Sequence, residues 1–284
     1  MSIRRAYDFE KLTAADPAAS FVSFLRSLDH TGSGVGFAPT VATTLGSRVS
    51  SSGNSKLLAS ETPSVLAGTT VLALRYKSGV VLAGDRRATE GSFIAHRYIE
   101  KVHQTDSHSA VAVAGAAGPA LEIVRLFQTE LEHYEKVQGT RLSLPGQANR
   151  LAALIRGHFE LALRGLVVVP VFAGFDDSAR TGRIFKYDVT GGRYEEREFH
   201  AEGSGGKLAR SFIKQGFRVS MSADDAIEVA LAALYEAADE DAGTGGPDLA
   251  RGIYPTIATI DAGGFKRLED SDVAKRFKAI IKKS

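Results

Sequence analysis

The sequence predicts an α+β fold in which two antiparallel sheets stack face to face and helices cover both outer sides. Three observations lead to this prediction. Strand-like and helix-like segments occur in blocks, in the order strands, two helices, strands, two helices, strand and helix. They do not alternate singly, as they would in a doubly wound parallel sheet. The 284 residues are 44% hydrophobic, which is enough for one large core or two small ones.

The first block of strands begins at Thr69. Residues 69–76 and 80–85 are apolar and rich in β-branched side chains, and Lys77, Ser78 and Gly79 join them as in a β-hairpin. Residues 109–114 form a further strand-like run. This part of the chain therefore predicts a hairpin whose first strand starts at Thr69.

Two helical stripes follow this block. In both, large apolar side chains recur at steps of three and four residues, which is the pattern of an amphipathic helix. The first stripe ends at Gly139 and consists of Leu121, Val124, Phe127, Leu131 and Tyr134. The second starts after Pro145 and Gly146 and consists of Leu151, Ile155, Phe159 and Leu163. Both helices should cover the same sheet.

The second half repeats the order of blocks. Strands are predicted over residues 167–175, 183–188 and 194–199, and helices over residues 207–217 and from Ser222 onward. Ser222 and Asp225 have the spacing of a capping box, which satisfies free backbone amides at the start of a helix. A strand over residues 253–261 and a helix over residues 272–281 complete the chain.

The segment that precedes Thr69 lacks the pattern of folded protein. Residues 31–64 are dominated by Gly, Ser, Thr, Ala and Val, and offer too little large apolar surface to offset the entropy of ordering the chain. Phe21, Phe24 and Leu25 stand at helical spacing, so residues 19–28 form either a short helix that docks on a larger body or a transient helix in a loose leader. The sequence thus divides into a largely flexible segment, residues 1–68, and a folded domain, residues 69–284.

Composition excludes several classes of protein. The 35 basic and 33 acidic residues give a formal charge of +2 and are spread through the chain, so no basic field marks a nucleic-acid or membrane partner. The chain has no cysteine, so any nucleophile is an alcohol. The longest apolar stretch, residues 166–174, is interrupted by Pro170 and is far shorter than the roughly 20 residues that span a bilayer. No secretory signal is recognisable, and the cytoplasm is the expected location.

Gly68, Thr69 and Thr70 stand immediately before the first predicted strand. Cutting the bond between Gly68 and Thr69 would leave a threonine that carries a hydroxyl nucleophile and its own amine base on one residue. A free α-amine has a pKa of about 7.7 to 8.0, against about 10.4 for lysine, so near neutral pH the amine is the better base. An ordinary turn before a strand is the alternative interpretation of the same triplet.

Two charged residues recur at a regular distance from Thr69. Asp85 ends the second predicted strand, sixteen residues after Thr69, and Lys101 follows sixteen residues later. A hairpin that starts at Thr69 could return Asp85 to its side, and the three residues would then supply a nucleophile, an orienting carboxylate and a charged amine. Taken alone, Asp85 also fits a solvated turn and Lys101 a side chain that points to water.

Several further motifs occur in a characteristic order and spacing. They are Gly68-Thr69-Thr70-Val71, residues 81–89, Lys101, Ala112-Val113-Ala114-Gly115, Gly203-Ser204-Gly205 and residues 241–248. On these motifs residues 69–284 resemble a catalytic β subunit of the proteasome, of the bacterial type found in actinobacteria. The resemblance implies an N-terminal nucleophile hydrolase fold, which is a four-layer αββα sandwich. It also implies a zymogen of a threonine endopeptidase, whose propeptide, residues 1–68, is removed by autocatalytic cleavage between Gly68 and Thr69.

The resemblance also implies roles for individual residues. Thr69 is the implied nucleophile, with Asp85 and Lys101 as its charged neighbours and the backbone amide of Gly115 as oxyanion donor. Ser204, Asp241 and Thr244 match positions that hold the terminal amine and a catalytic water, although Thr244 is a serine in many relatives and Gly206 replaces a frequent second serine. The positions that bind the substrate strand and line a mostly apolar specificity pocket are Ala88, Thr89, Ile99, His103, Val113, Ala117 and Leu121. No cofactor or metal ion is implied.

The partners expected from the resemblance are other proteasome subunits. A subunit of this kind occupies one seventh of a β ring, and two β rings lie between two rings of α subunits, with the active threonines facing an enclosed chamber. An ATPase unfolds and delivers the substrates. The leader, and within it residues 21–28, is the segment expected to assist ring assembly.

Three other interpretations compete with this one. A simpler two-ring protease with a different ATPase also starts with Thr-Thr, but its strand-end motif usually lacks the pair Arg86 and Arg87 and it generally lacks a long leader. A purely architectural ring subunit would lose the nucleophile or the lysine, whereas Thr69, Asp85 and Lys101 are all present. Finally, residues 203–206 ahead of a helix could cradle a phosphate, although they lack the lysine and the serine or threonine of a P-loop.

Overall fold

A computed structural model describes residues 68–283, so the predicted leader, including residues 19–28, lies outside the described residues. The strands of the described part are β1 Thr70–Tyr76, β2 Gly79–Gly84, β3 Ala88–Glu90, β4 Phe93–His96, β5 Val102–Asp106, β6 Ser109–Gly115, β7 Val168–Asp176, β8 Thr181–Tyr187, β9 Arg193–Glu196, β10 Phe199–Gly203, β11 Thr256–Asp261 and β12 Gly264–Arg267. Its helices are α1 Ala117–Gln138, α2 Leu144–Gly157, α3 Phe159–Leu163, α4 Gly206–Gly216, α5 Ala223–Glu240 and α6 Asp270–Lys283.

The strands form two five-stranded sheets and one two-stranded hairpin. The first sheet has the order β10-β1-β2-β11-β12, and the second has the order β5-β6-β7-β8-β9. The hairpin consists of β3 and β4. Neighbouring strands are antiparallel throughout the described part, and β1 and β2 pair as the predicted hairpin, with Val71 opposite Gly84.

The two sheets pack face to face through small and β-branched side chains. Val71 and Leu82 of the first sheet lie in one buried cluster with Ala112 and Val171 of the second. The opposite faces of the same strands are also buried, since Leu72 and Leu74 of β1 are fully inaccessible to solvent. Strands buried on both faces require unbroken apolar runs, which explains why residues 69–76 show no alternation of polar and apolar side chains.

Helices cover the outer face of each sheet. Leu72 and Leu74 pack with Ile213 of α4, Leu231 of α5 and Phe277 of α6. On the other side, Phe127 of α1 and Leu151 of α2 pack against Phe172 and Phe185 of the second sheet. The layers therefore run helix, sheet, sheet, helix, and the predicted αββα sandwich is confirmed.

The ends of two helices follow the predicted local signals. The helix α1 ends at Gly139, which has a φ of 70° and takes up the left-handed conformation. The helix α5 starts after Ser222, whose side chain accepts a hydrogen bond from the amide of Asp225, while the Asp225 side chain accepts one from the amide of Ser222. Both predicted boundaries are confirmed.

Other predicted elements are wrong in extent. The second helical stripe does not run through Phe159 and Leu163, because α2 ends at Gly157 and the separate short helix α3 leaves the Leu163 side chain 73% exposed. Residues 194–199 are not one strand, because the chain passes there from β9 in the second sheet to β10 in the first. The last predicted strand starts at Thr256 instead of residue 253, and β12 was not predicted.

Within residues 68–283, none of the helices combines the length and apolar character needed to cross a membrane.

Asp176, at the end of β7, makes fold stability sensitive to acid. Burial alone would raise the pKa of its carboxyl, but hydrogen bonds from Ser178, Arg183 and the amide of Ala179 lower it to about 2, from an ordinary value of 3.8. We expect Asp176→Asn to lower the free energy of unfolding by about 2 kcal/mol at pH 7. Because the folded state has the lower pKa, this contribution is complete above about pH 5 and is lost as the pH falls towards 2.

Urea unfolding of the two chains at neutral pH and at about pH 3 measures this difference. The neighbouring variant Asp177→Asn is the matched control, because the Asp177 side chain is 55% exposed and its ion pair with Arg141 lies at the surface. A difference between Asp176→Asn and the unmodified chain that is the same at both pH values would contradict the assignment.

Candidate active site

Thr69 lies directly before β1 and is almost completely buried, with 4% of its surface exposed. The antiparallel pairing of β1 with β10 places Thr70 opposite Gly203, so Ser204 comes next to Thr69. The amide of Ser204 donates a hydrogen bond to the Thr69 carbonyl at 2.8 Å. In the other direction, the Thr69 nitrogen donates to the Ser204 Oγ at 3.2 Å. Cleavage before Thr69 would convert this nitrogen into a terminal amine.

Asp85 follows β2 and is fully buried next to the start of β1. The hairpin brings its Oδ1 atom to 2.8 Å from the amide of Thr70. Its Oδ2 atom accepts from the amides of Arg87 and Gly245, both at 2.8 Å. These donors satisfy most of the hydrogen-bonding capacity of a carboxylate, so a fully buried charge is stabilised here.

Lys101 provides the positive charge that Asp85 faces. Its Nζ atom donates to Asp85 Oδ1 at 2.6 Å and to the Arg87 carbonyl at 2.5 Å, and its side chain is 4% exposed. Burial lowers the pKa of the Lys101 ammonium below its ordinary value, while the charge of Asp85 opposes that shift. The alternatives in which Asp85 begins a solvated turn and Lys101 points to water are therefore wrong.

A second carboxylate, that of Asp241, is linked to the Thr69 nitrogen through Ser204. The Oδ2 atom of Asp241 accepts hydrogen bonds from the hydroxyls of Ser204 and Thr244, each at 2.5 Å. Thr244 is fully buried, and its hydroxyl lies 2.7 Å from that of Thr70. The three residues predicted to surround the terminal amine are thus joined in one hydrogen-bonded group.

A cleft of about 260 Å³ opens beside Thr69. We call it the Thr69 cleft, and its predicted lining residues are Thr69, Ala88, Thr89, Ile99, Lys101, His103, Val113, Gly115, Ala117 and Leu121. All seven predicted substrate-binding residues therefore line the same cleft as Thr69 and Lys101. The other predicted catalytic residues do not line the cleft and are connected to it by hydrogen bonds. Asp85 bonds to Lys101, and Ser204 bonds to the Thr69 nitrogen and, through Asp241, to Thr244.

The surface of the cleft is mostly apolar, as predicted, but its lining includes polar residues that the sequence did not single out. Glu90, His96 and Glu100 also line it, together with Ala95 and Ala120. Burial lowers the pKa of His103, with Glu100 opposing the shift, and within the described residues the His103 Nε2 atom has no hydrogen-bond partner. Sequence reasoning missed Glu90 and His96 because it did not predict the β3–β4 hairpin that carries them. Glu100 stands directly before Lys101, and that position was the available signal for it.

Gly115 ends β6 at the edge of the cleft in a conformation that other residues rarely adopt. Its φ is 111°, and a Cβ atom built there would lie 2.1 Å from the carbonyl oxygen of Val167. Only glycine fits this position without moving the neighbouring strand. The backbone of residue 115 is thereby held close to the space beside Thr69.

The start of α4 is not arranged as a phosphate site. The amide of Ser204 is bonded to the Thr69 carbonyl, and the amide of Gly205 donates to the Thr70 hydroxyl at 3.0 Å. These amides are therefore engaged within the protein instead of facing a ligand. Among residues 68–283, no group of three or more His, Asp or Glu side chains could hold a metal ion.

The αββα sandwich is the fold of the N-terminal nucleophile hydrolases, and comparison with known proteins places the chain within that class. A family model described as proteasome subunit matches residues 65–248. The chain therefore belongs to the proteasome subunit family, and the predicted resemblance is confirmed.

Individual relatives agree with this family. The chain is 58% identical over 223 residues to a protein named proteasome subunit beta from Acidothermus cellulolyticus, with 77% of each chain covered. It is 54% identical over 219 residues to proteasome subunit beta 2 of Thermomonospora curvata, covering 77% of this chain and 78% of the relative. A proteasome subunit beta from Acidimicrobium ferrooxidans is 58% identical over 204 residues, covering 72% of this chain and 75% of the relative.

Proposed function

We propose that this chain is the precursor of a threonine endopeptidase of the proteasome core, and that Thr69 becomes its nucleophile after the bond to Gly68 is cut. Family membership supports a peptidase role in the proteasome core. One observation carries the threonine chemistry: Thr69 shares a cleft with Lys101, whose ammonium is fixed by the buried Asp85 carboxylate. A hydroxyl beside a fixed positive charge is easier to deprotonate than one in water.

The terminal amine of Thr69 is the proposed base. A free α-amine has a pKa of about 7.7 to 8.0, so a substantial part of it is neutral near pH 7.5, whereas the Lys101 Nζ atom is engaged as a donor to the Asp85 carboxylate and the Arg87 carbonyl. The Ser204 hydroxyl donates its hydrogen to Asp241, so it can only accept from the Thr69 nitrogen. This acceptor orients the amine beside its own hydroxyl group.

Maturation uses the same hydroxyl on an internal bond, before the Thr69 nitrogen has become a free amine. The Thr69 Oγ1 atom attacks the Gly68 carbonyl carbon, the bond from that carbon to the Thr69 nitrogen breaks, and the nitrogen takes up the proton. Water then hydrolyses the resulting ester, which releases a carboxylate at Gly68 and restores the hydroxyl. The amide of Gly68 donates to the Thr89 Oγ1 at 2.9 Å, which holds the residue before the bond at the mouth of the cleft.

In the mature chain, substrate peptides are proposed to bind in the Thr69 cleft. The backbone near Thr89 is proposed to align the substrate strand, and Ala88, Ile99, His103, Val113, Ala117 and Leu121 to contact the side chain before the cut. The amide of Gly115 is the proposed donor to the tetrahedral oxyanion, a contribution worth about 3 to 4 kcal/mol where such donors have been removed.

The proposed setting is a barrel of stacked rings in the cytoplasm. Seven β subunits form a ring, two such rings lie between rings of α subunits, and an ATPase delivers unfolded chains to the chamber. Enclosure limits a peptidase with a broad cleft to substrates that have been unfolded first. The similarity to relatives named proteasome subunit beta, at 54% to 58% identity, supports this setting over the simpler two-ring protease.

The first residue of the mature chain tests the proposal. The full-length chain is co-expressed with an α subunit, and the assembled complex is analysed by intact mass and N-terminal sequencing. We expect a β chain that consists of residues 69–284 and hydrolyses fluorogenic peptides. A mature chain that begins at any residue other than Thr69, in an active complex, would overturn the proposed chemistry.

A further inference from the structure

Thr70 is a buried polar residue to which the proposed mechanism gives no role. It is the first residue of β1 and none of its surface is exposed. Its backbone amide donates to Asp85 Oδ1 at 2.8 Å. Its hydroxyl faces two other groups, because the Oγ1 atom accepts from the Gly205 amide at 3.0 Å and lies 2.7 Å from the Thr244 Oγ1.

The direction of each hydrogen bond in this group follows from the number of hydrogens available. A hydroxyl has one hydrogen to donate, and a carboxylate has none. Thr244 donates its hydrogen to Asp241 Oδ2 at 2.5 Å, so the hydrogen between Thr70 and Thr244 comes from Thr70. Ser204 likewise donates to Asp241, and therefore accepts from the Thr69 nitrogen.

We infer that Thr70 is a positioning residue, whose hydroxyl fixes Thr244 against Asp241. With Asp241 held in this way, Ser204 stays oriented as an acceptor for the nitrogen of Thr69. The inference rests on the proposed function. One residue then links both carboxylates of the site: its amide bonds to Asp85, and its hydroxyl reaches Asp241 through Thr244.

Loss of the Thr70 hydroxyl would leave two buried groups without their partner. The Gly205 amide would lose its acceptor, and the Thr244 oxygen would lose the donor that fixes its rotation. A buried polar group without a partner costs about 1 to 3 kcal/mol. Because Asp241 would then be held less firmly, the penalty falls on the orientation of the amine and so on the chemical step.

Two substitutions separate this role from simple filling of the core. Thr70→Val keeps the shape of the side chain and removes the hydroxyl, whereas Thr70→Ser keeps the hydroxyl and removes the methyl group. A packing role makes the serine variant the worse of the two, and the inferred role makes the valine variant the worse.

The experiment uses complexes assembled with an α subunit, and it measures kcat and KM for a fluorogenic peptide per mature β chain counted by intact mass. We expect Thr70→Val to lower kcat about tenfold to a hundredfold. The KM should change little, and Thr70→Ser should retain most of the activity. Thr256→Val is the matched control, because Thr256 is 3% exposed and its Oγ1 atom has no hydrogen-bond partner within the described residues.

Each outcome decides the inference. Equal kcat values for Thr70→Val and the unmodified chain, or a greater loss in Thr70→Ser than in Thr70→Val, would overturn it. If Thr70→Val does not assemble, Thr70→Ser decides alone, because a large loss of kcat in that variant contradicts a role for the hydroxyl and retained kcat supports it. Thr69→Ala, prepared in parallel, tests the proposed function separately. Peptidase activity in Thr69→Ala would count against Thr69 as the nucleophile, whereas the results for the Thr70 variants bear on the inference alone.

Discussion

A Thr69→Ala chain is expected to keep its full length and to hydrolyse no peptide. The substitution removes the hydroxyl that would attack both the Gly68 carbonyl and the substrate, and losses of at least about a thousandfold are usual when a covalent nucleophile is removed. Thr69 precedes β1 and makes its structural hydrogen bonds through its backbone, so the fold should persist. Intact mass and peptide hydrolysis by the assembled complex measure the two effects.

Two further variants serve as controls for Thr69→Ala. Thr69→Ser keeps a hydroxyl and should be processed and active, at a reduced rate. Thr256→Ala truncates another buried threonine, at the start of β11 in the sheet that β1 belongs to, and should mature normally. Normal trimming of Thr69→Ala, in rings that contain no other β chain, would show that cleavage does not depend on this hydroxyl.

Lys101→Ala is expected to stop maturation and to destabilise the fold. The Asp85 carboxylate would remain fully buried without its cation, and removing one partner of a buried ion pair costs about 3 to 5 kcal/mol. Three backbone amides still bond to Asp85, which places the expected loss near the lower end of that range. The Thr69 cleft also loses the charge that favours an alkoxide at Thr69. Thermal unfolding and the fraction of processed chain report the two effects.

Lys136→Ala is the matched control for this charge removal. Lys136 pairs with Glu132 one helical turn away, and the two side chains are 71% and 67% exposed. An exposed pair of this kind contributes little, so stability and processing should match the unmodified chain. Wild-type maturation and turnover in Lys101→Ala would remove Lys101 from the mechanism.

The parts of the fold that the sequence predicted well depend on local signals. The hairpin of β1 and β2 was marked by two apolar runs around a short turn. It was expected to return Asp85 beside Thr69, and it brings Asp85 into contact with the amide of the next residue, Thr70. The start of α5 was marked by Ser222 and Asp225, whose side chains satisfy amides in their own first turn. Such features need only neighbouring residues, and so they can be recognised without the rest of the chain.

The errors concern contacts between distant segments. Nothing local separates β9 from β10, because the break between them exists only where Arg193–Glu196 pairs with β8 and Phe199–Gly203 pairs with β1. The helical stripe also continues through Phe159 and Leu163 in the sequence, yet α2 ends at Gly157. Glycine weakens a helix, but whether the helix stops there depends on what the next turn could pack against.

The candidate site shows the same division. The hairpin that starts at Thr69 made the approach of Asp85 predictable, whereas Lys101 precedes β5 of the second sheet and was assigned to the site from the resemblance. The contribution of Thr70 was not predictable, because its hydroxyl meets Thr244, which lies 174 residues away in the chain. Hydrogen-bonded groups that span such distances become visible only in three dimensions.

The four donors around Asp85 come from near and distant parts of the sequence, so the order of synthesis bears on how this carboxylate is supported. Three of them belong to residues near Asp85 in the sequence, namely Thr70, Arg87 and Lys101. The fourth is the amide of Gly245, which lies 160 residues after Asp85. A chain still emerging from the ribosome therefore lacks the last support of its own carboxylate. The order of synthesis therefore completes the support of this buried charge only after most of the polypeptide has been made.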